Sequence, residues 1–211
     1  FNDSSSFIVH PSYGPDPQTM QEALKCKDAN DWIAADLQEF QKFKELDAFE
    51  VVLRTQATSR GKRIYKPRKV LRRKFNAPDA DNPFGALDKH KVRCCIAAFT
   101  KTLKEGIDYS EKYASTVRWN AIKMIVAIAV KFDYDITLFD ISSFFLYGEM
   151  DEEVYMEIPE GWGENGEEGP EFVWRLKKTV YGWPAASNKA QRTLKTSLMS
   201  KSEFKQTRGD D

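Results

Sequence analysis

The sequence predicts an α+β fold in which helices pack on small antiparallel sheets. Apolar residues recur at helical spacing in three segments, at about 32–46, 118–131 and 185–201. Short segments typical of strands lie between these helices, and no internal repeat is visible. Hydrophobic residues make up 41% and aromatic residues 13% of the 211 residues, which is enough to bury a core in one domain or two closely coupled subdomains.

The N-terminal part combines a predicted linker, a helix and a strand. Residues 1–27 are rich in Ser, Pro, Asp and Gly without a sustained period, so we interpret them as a linker. Asp31 is a candidate N-cap for the helix over about 32–46, and a strand is predicted at 49–54. The apolar side chains of this helix, at or beside helical spacing, are Trp32, Ile33, Leu37, Phe40 and Phe43.

Two hairpins are predicted to supply the sheets. The first spans 69–99, with strands at 69–75 and 91–99 and a long, turn-rich tip between them. The second pairs strands at 154–158 and 172–176 around a loop rich in Gly and Glu.

The C-terminal half is predicted to contain two helices and one apolar strand. Thr116 is a candidate cap for the helix over about 118–131. The buried face of this helix is predicted to consist of Ile122, Ile125, Val126 and Ala129. Residues 134–140 are predicted to form a short strand that ends in a carboxylate. The last helix places apolar side chains four residues apart, at Ala190, Leu194 and Leu198.

The net charge of zero hides a segregation of charge along the chain. Segment 149–171 contains ten acidic residues and no basic one. Segment 60–74 contains nine basic residues and no acidic one: Arg60, Lys62, Arg63, Lys66, Arg68, Lys69, Arg72, Arg73 and Lys74. The basic segment is a candidate for binding polyanions such as nucleic-acid phosphates. A soluble surface hairpin without a ligand is an equally supported interpretation.

Neither secretion nor membrane insertion is indicated. The three cysteines, Cys26, Cys94 and Cys95, match neither a disulfide framework nor a zinc-binding spacing. The longest apolar run, at 122–130, contains Lys123 and is too short to cross a bilayer. The N terminus shows no basic region followed by an apolar run and a cleavage site. We therefore expect a reducing, intracellular location and no membrane partner.

Asp140 is the first candidate for chemistry. A carboxylate at the end of an apolar strand can project into a cleft and bind a hard cation such as Mg²⁺ together with substrate phosphates. Taken alone, such an aspartate is more often a cap or a turn residue. The sequence around it favours the metal-binding interpretation.

The run at 138–159 reads Leu-Phe-Asp-Ile-Ser-Ser-Phe-Phe-Leu-Tyr-Gly-Glu-Met-Asp-Glu-Glu-Val-Tyr-Met-Glu-Ile-Pro. It resembles the first palm motif of copia-type LTR retrotransposon reverse transcriptases. That motif has Asp, a β-branched residue, two variable residues, Ala-Phe-Leu, a variable residue and Gly, followed by a glutamate pair, Tyr-Met and Pro. Further pieces resemble the same family in the same order over about 28–211. They are Trp32, Ala35 and Glu39, Lys91-Val92-Arg93, Gly106-Ile107-Asp108-Tyr109, residues 173–176, Tyr181-Gly182, and Phe204, Gln206 and Asp210.

The resemblance implies a right-hand polymerase fold, with fingers-like residues at 28–112 and a partial palm at 113–211. It also implies an RNA-directed DNA polymerase that adds dNTPs to an RNA or DNA template-primer, using two Mg²⁺ ions about 3.5–4 Å apart. Asp140 would be the first metal-binding carboxylate, with the Ile141 carbonyl as a supporting ligand.

The resemblance places the incoming nucleotide against three consecutive residues, Ser143, Phe144 and Phe145. The Phe145 ring would lie beneath the sugar and exclude a 2′-hydroxyl, although core packing is an equally supported role for it. Lys91 and Arg93 are two residues apart, so they share a strand face and, with the family motif around them, are expected to grip the triphosphate. From the pair alone, a solvated strand face is the more frequent alternative.

The sequence departs from the family pattern in three ways. Ala185 stands where the family has a Gln that helps to hold the nucleotide, and Phe144 replaces a small residue beside the triphosphate. The Tyr-x-Asp-Asp hairpin is absent, and Gly209-Asp210-Asp211 lacks the flanking apolar strands that such a hairpin needs. We therefore interpret the chain as an inactive N-terminal fragment of a longer reading frame, truncated before the catalytic hairpin.

Two further hypotheses stay open. In the first, the chain is a non-catalytic nucleic-acid-binding remnant that uses the basic hairpin. In the second, it is a structural α+β domain with a fortuitous motif match. In the leading hypothesis, integrase and ribonuclease H modules flank the chain in a polyprotein, and the protein is cytoplasmic, in a virus-like particle, or nuclear. A reading frame that continues into an apolar strand, Tyr-x-Asp-Asp and a second apolar strand would favour the enzyme.

Overall fold

The predicted α+β class is confirmed. The computed structural model describes residues 10–98, 114, 116–164, 166–167 and 169–201. The helices are α1 (Met20–Ala23), α2 (Ala29–Glu45), α3 (Arg54–Ser59), α4 (Trp119–Phe132) and α5 (Ala186–Lys201), with a 3₁₀ turn at Phe144–Tyr147. The strands are β1 (Phe49–Leu53), β2 (Ile64–Tyr65), β3 (Pro67–Phe75), β4 (Leu87–Ile96), β5 (Tyr155–Met156) and β6 (Phe172–Leu176).

Helix α2 forms where it was predicted but presents a different face to the core. Asp28, rather than Asp31, occupies the N-cap position. The buried stripe recurs at helical spacing and consists of Trp32, Ala35, Asp36, Glu39, Phe40 and Phe43. Ile33 and Leu37, two of the apolar residues that recur at helical spacing, are 41% and 56% exposed. Two carboxylates therefore lie on the buried face and two large aliphatic residues lie outside it.

The strands form two separate sheets. A four-stranded sheet has the order β1-β6-β5-β2, in which β6 is antiparallel to both β1 and β5. The pairing of β5 with β6 confirms the second predicted hairpin. The pairing of β2 with β5 is parallel and was not predicted. The other sheet is the hairpin of β3 and β4, which confirms the first predicted hairpin.

An aromatic core joins α2 to the four-stranded sheet. Phe49 of β1 stacks on Trp174 of β6 with their ring centroids 3.7 Å apart. Phe40 of α2 stacks on Trp162 at 5.2 Å, and Trp162 comes from the loop between β5 and β6. The Gly- and Glu-rich loop therefore contributes a buried ring to the core. Trp162 also donates a hydrogen bond from Nε1 to the Asp36 carboxylate at 2.9 Å.

Part of the predicted N-terminal linker is folded. Thr19 caps helix α1 by accepting a hydrogen bond from the Glu22 backbone N–H, and Ala23 is fully buried. Asp16 accepts a hydrogen bond from the Arg73 backbone N–H at 3.0 Å. Residues 10–27 thus pack against the hairpin instead of forming an extended spacer.

Helix α4 lies where it was predicted, but most of the face that was predicted to be buried is exposed. Arg118, and not Thr116, is its N-cap residue, and within this helix only Ala129 is buried. Ile122, Ile125 and Val126 are all exposed. Helix α5 buries Ala190 near its N terminus, half-buries Leu194 and leaves Leu198 exposed. None of the helices that the structure describes combines the length and hydropathy needed to span a bilayer.

A buried ionic network attaches the hairpin to the start of α2. The Arg73 guanidinium donates to both Asp28 carboxylate oxygens, from Nε at 2.8 Å and from a terminal nitrogen at 3.1 Å. His90 Nε2 lies 2.6 Å from the same carboxylate. The side chains of Arg73 and Asp28 are 2% and 11% exposed. Hydrogen bonds from Arg73, and then from His90, hold the pKa of the Asp28 carboxyl well below its usual range, although burial opposes them.

We predict that Asp28→Asn lowers the free energy of unfolding by about 3 kcal/mol at pH 7, because a buried guanidinium loses its nearest counter-charge. Since the folded-state pKa of Asp28 is depressed, its contribution is present above the ordinary value of 3.8 and is lost as the pH falls below it. The difference from wild type should therefore be constant near neutral pH and shrink as the pH falls below 3.8, as measured by urea unfolding.

Glu50→Gln is the matched control for this prediction. Glu50 pairs with Arg175 at 2.9 Å, but both side chains are nearly half exposed, so its loss should cost less than about 1 kcal/mol. Equal effects of the two substitutions would contradict the assignment of the Asp28–Arg73 pair as the structural one.

Candidate functional site

The β3–β4 hairpin has one face that is rich in cations. Its register pairs Val70 with Arg93, Arg72 with Lys91, and Lys74 with Lys89. Because directly paired residues project from the same face of a sheet, six basic side chains share one face. We call this the outer basic face; its members are Arg68, Arg72, Lys74, Lys89, Lys91 and Arg93.

The opposite face of the hairpin carries its cations inward, toward carboxylates. Lys69 Nζ lies 2.7 Å from the Asp36 carboxylate and 4.7 Å from the centre of the Trp162 ring. Arg73 is held by Asp28, as described above. The acidic residues of α2 thus neutralise this inner face. The outer basic face has Asp16 as a close carboxylate, 3.3 Å from Arg72.

The predicted basic run at 60–74 is divided among several environments. Arg68, Arg72 and Lys74 lie on the outer basic face, whereas Lys69 and Arg73 lie on the inner face. The first four basic residues precede β3. Arg60 forms an ion pair with Glu153, and Lys62 lies 3.9 Å from the same carboxylate. Arg63 lies over the Tyr65 ring at 5.2 Å, and Lys66 is exposed.

Lys91 and Arg93 share the outer basic face, as their spacing predicts. Burial lowers the pKa of Lys91, and the charges of Arg93 and Lys42 lower it further. Glu39 opposes this shift with its negative charge. The local excess of positive charge at this end of the hairpin favours an anionic ligand, because an anion would relieve the repulsion among the cations.

Tyr181 connects this face to the predicted nucleotide-contacting turn. The Arg93 guanidinium lies 5.7 Å from the centre of the Tyr181 ring and hydrogen-bonds to its hydroxyl. Phe145 meets the same ring edge-to-face, with centroids 4.9 Å apart and an interplanar angle of 85°. Burial, and then the charge of Glu39, raises the pKa of Tyr181, which keeps the phenol neutral.

The 3₁₀ turn that carries Phe145 is held in place by contacts with Thr179. Ser143 precedes it in the left-handed conformation, with φ of 56°. The hydroxyl of the fully buried Thr179 donates to the Phe145 carbonyl. Gly148 ends the turn so close to its neighbours that an added Cβ would lie 2.5 Å from Thr179 Oγ1. Phe145 itself packs at the margin of the main core, which is the cluster that contains Phe40, Trp162 and Trp174. Phe144 lies beside Phe145, with the ring centroids 6.1 Å apart.

Asp140 lies on a segment without regular structure. The predicted strand at 134–140 is wrong: these residues are exposed and pair with no other strand that the structure describes. The following residue, Ile141, is half-buried. Among the described residues, no group of three or more His, Cys, Asp or Glu side chains is arranged to hold a metal ion. The described residues therefore do not by themselves assemble a magnesium site.

Several residues of the site were missed or given no role by the sequence analysis. Lys89 continues the alternation of Lys91 and Arg93, which is a signal that a strand-face count could have detected. Glu39 is only 3% exposed, lies 3.5 Å from Lys42, and accepts a hydrogen bond from the Cys94 backbone N–H. Burial dominates and raises the pKa of Glu39.

The remaining predicted positions are either buried or outside the described part of the chain. Ala185, which stands in place of the expected Gln, is fully buried in the main core. It offers packing and no polar contact. The motif at Gly106-Ile107-Asp108-Tyr109 and the residues Phe204, Gln206, Gly209, Asp210 and Asp211 lie outside the described residues.

The family model for reverse transcriptase (RNA-dependent DNA polymerase) matches residues 66–210. The matched span contains the hairpin, the Phe145 turn and Tyr181. No solved structure matches the chain significantly.

Curated relatives are Pol polyproteins of plant transposons. The chain is 28% identical over 167 residues to the retrovirus-related Pol polyprotein from transposon TNT 1-94 of Nicotiana tabacum, which is 79% of this chain and 12% of the relative. It is 28% identical over 130 residues to that from transposon RE2 of Arabidopsis thaliana, or 62% of this chain and 8% of the relative. It therefore spans a small part of these polyproteins. On the family match over most of its length, the chain belongs to the reverse transcriptase (RNA-dependent DNA polymerase) family.

Proposed function

We propose that this chain supplies the fingers and part of the palm of an RNA-directed DNA polymerase, with residues 28–112 as fingers and 113–211 as partial palm. The observation that carries the proposal is the outer basic face, whose six cations lie in register and whose Arg93 contacts Tyr181, the ring that packs against Phe145. A face of this kind suits a polyanionic template-primer, because lysine and arginine contact phosphates without reading base sequence.

The two ends of the outer basic face have different proposed ligands. Arg93 contacts Tyr181, so Arg93 and the neighbouring Lys91 are proposed to bind the triphosphate of a dNTP. Arginine can bind phosphate through two parallel hydrogen bonds, whereas lysine acts as a point charge. The cations farther along the strands, Lys74 and Lys89, are proposed to contact the nucleic-acid backbone.

Phe145 is proposed to select the sugar. Its ring is held at a fixed angle by Tyr181 and by the anchored 3₁₀ turn, and it follows directly on Ser143 and Phe144. A bulky, immobilised ring beneath a sugar disfavours a 2′-hydroxyl by steric exclusion. Divalent metal use is typical of this chemistry. Asp140 and the Ile141 carbonyl are proposed as ligands within a more complete site, to which the described residues contribute only part.

The biological setting is proposed from the names of the relatives and from the resemblance to copia-type elements. The chain would act within a Pol polyprotein, with integrase and ribonuclease H modules as partners, in a cytoplasmic virus-like particle or in the nucleus. A second candidate function is nucleic-acid binding without catalysis. It is favoured by the burial of Ala185 where a polar nucleotide contact is expected.

We predict salt-sensitive binding of single- and double-stranded nucleic acids without sequence preference. Lys74→Gln combined with Lys89→Gln should weaken binding and reduce the slope of log K against log salt concentration. The reduction should be about 0.7 to 0.9 for each phosphate that the protein no longer neutralises. Fluorescence anisotropy of labelled RNA and DNA oligonucleotides over a series of salt concentrations measures both quantities.

The matched control for the basic face removes the same charge elsewhere. Lys44→Gln combined with Lys177→Gln neutralises two lysines that pair with Glu164 and Asp47, away from the hairpin. This variant should keep the wild-type slope within experimental error. Equal weakening in the two double variants would mean that net charge, and not the outer basic face, drives binding.

We also predict that this 211-residue chain does not extend a primer. Asp140 is the single carboxylate of the first palm motif, and a two-metal site needs additional anionic ligands. The measurement is incorporation of labelled dNTP on a primed RNA template with Mg²⁺. Incorporation above that of an Asp140→Asn variant would show that the chain holds a complete catalytic site.

A further inference from the structure

Tyr181 lies between a residue proposed to hold phosphate and a residue proposed to select the sugar. We propose that Tyr181 is a positioning residue that fixes Arg93 and Phe145 relative to each other. It thereby couples binding of the triphosphate to discrimination against ribonucleotides. The inference rests on the proposed function, because it assigns Tyr181 a role in the same nucleotide site.

The backbone of Tyr181 is fixed at the junction of the hairpin and the main core. Its carbonyl accepts a hydrogen bond from the Ile96 N–H at 2.8 Å, and it forms a parallel bridge with Cys95. Gly182 follows with φ of +87°, and an added Cβ there would lie 2.4 Å from the Ile96 carbonyl oxygen. Val180 and Trp183 on either side are buried. Tyr181 therefore cannot shift without separating β4 from the core.

The side chain of Tyr181 contacts its two partners by different parts of the phenol. Phe145 meets the ring edge-to-face at 4.9 Å, which is a preferred aromatic geometry. Arg93 lies 5.7 Å from the ring centre, within the range of a cation–π contact, and also hydrogen-bonds to the hydroxyl. The ring thus orients Phe145, while the ring and hydroxyl together orient Arg93.

This arrangement has a chemical consequence for a bound nucleotide. The 5′-triphosphate and the 2′-carbon are carried by the same ribose, so they enter the site together. A protein that binds the phosphate through Arg93 and tests the 2′-position with Phe145 must keep these two groups in register. Tyr181 contacts both Arg93 and Phe145. Removal of its ring should therefore relax sugar selection as well as weaken binding.

The test is equilibrium dialysis of the whole chain with dATP and with ATP. Wild type should bind dATP more tightly than ATP. Tyr181→Phe keeps the ring and removes the hydroxyl, so it should weaken both affinities by about threefold and keep the dATP preference. Tyr181→Leu removes the ring, so it should weaken dATP binding by about tenfold and bring the ratio of the two affinities close to one.

Tyr13→Leu is the matched control. Tyr13 also lies against an arginine, 5.6 Å from Arg73, but on the N-terminal side of the hairpin and away from Phe145. This substitution should leave both nucleotide affinities and their ratio unchanged. A purely structural role for Tyr181 would lower affinity without changing the ratio, so the ratio is the deciding measurement.

The outcomes separate the inference from the proposed function. If Arg93→Ala weakens both nucleotides but Tyr181→Leu changes neither the affinity nor the ratio, the positioning role is wrong and the proposed function stands. If wild type binds neither nucleotide, the proposed function fails and the inference fails with it. If Tyr181→Leu does not fold by circular dichroism, Tyr181→Phe decides: affinities equal to those of wild type would overturn the proposal.

Discussion

The Asp28–Arg73 ion pair is the interaction on which the two-sided hairpin depends. It holds the N terminus of α2 against β3, and the second α2 carboxylate, Asp36, holds Lys69 on the same face. Charges this poorly exposed are stable only when they are paired. The carboxylates of α2 therefore neutralise the inner cations and leave the other face strongly positive. The hairpin therefore has one neutralised face and one positively charged face, because the helix packed against it, α2, carries acidic residues on its buried side.

The same attachment links the charged surface to the aromatic core. Helix α2 contributes Phe40 to a stack with Trp162, and Trp162 donates to the carboxylate that holds Lys69. At the far end of β4, the Tyr181 carbonyl receives the Ile96 N–H. The hairpin is thus joined to the core at both ends, through a helix and through a loop. Such a scaffold can hold phosphate-binding side chains at fixed distances from the 3₁₀ turn, which is what a preorganised nucleotide site requires.

Local patterns predicted most helices and both hairpins, because these depend on residues close together in the chain. They failed where a distant partner decides the outcome. Asp36 and Glu39 were not predicted to be buried, since their partners Lys69, Trp162 and Cys94 come from other elements. The apolar run at 134–140 has strand composition, but a strand also needs a pairing edge. Motif similarity identified Tyr181 as part of a pattern, whereas its position between Arg93 and Phe145 follows only from the packing of β4 on the core.

The two adjacent cysteines of β4 illustrate what the strand geometry means for redox chemistry. Neighbouring residues on a strand project to opposite sides, so Cys94 lies inward and Cys95 lies on the positively charged side. All three thiols of the chain are free, and burial raises the pKa of both Cys94 and Cys95. Since the thiolate is the species that oxidants attack, both sulfurs are chemically quiet near neutral pH. Neither cysteine of the hairpin is therefore expected to be an early target of mild peroxide.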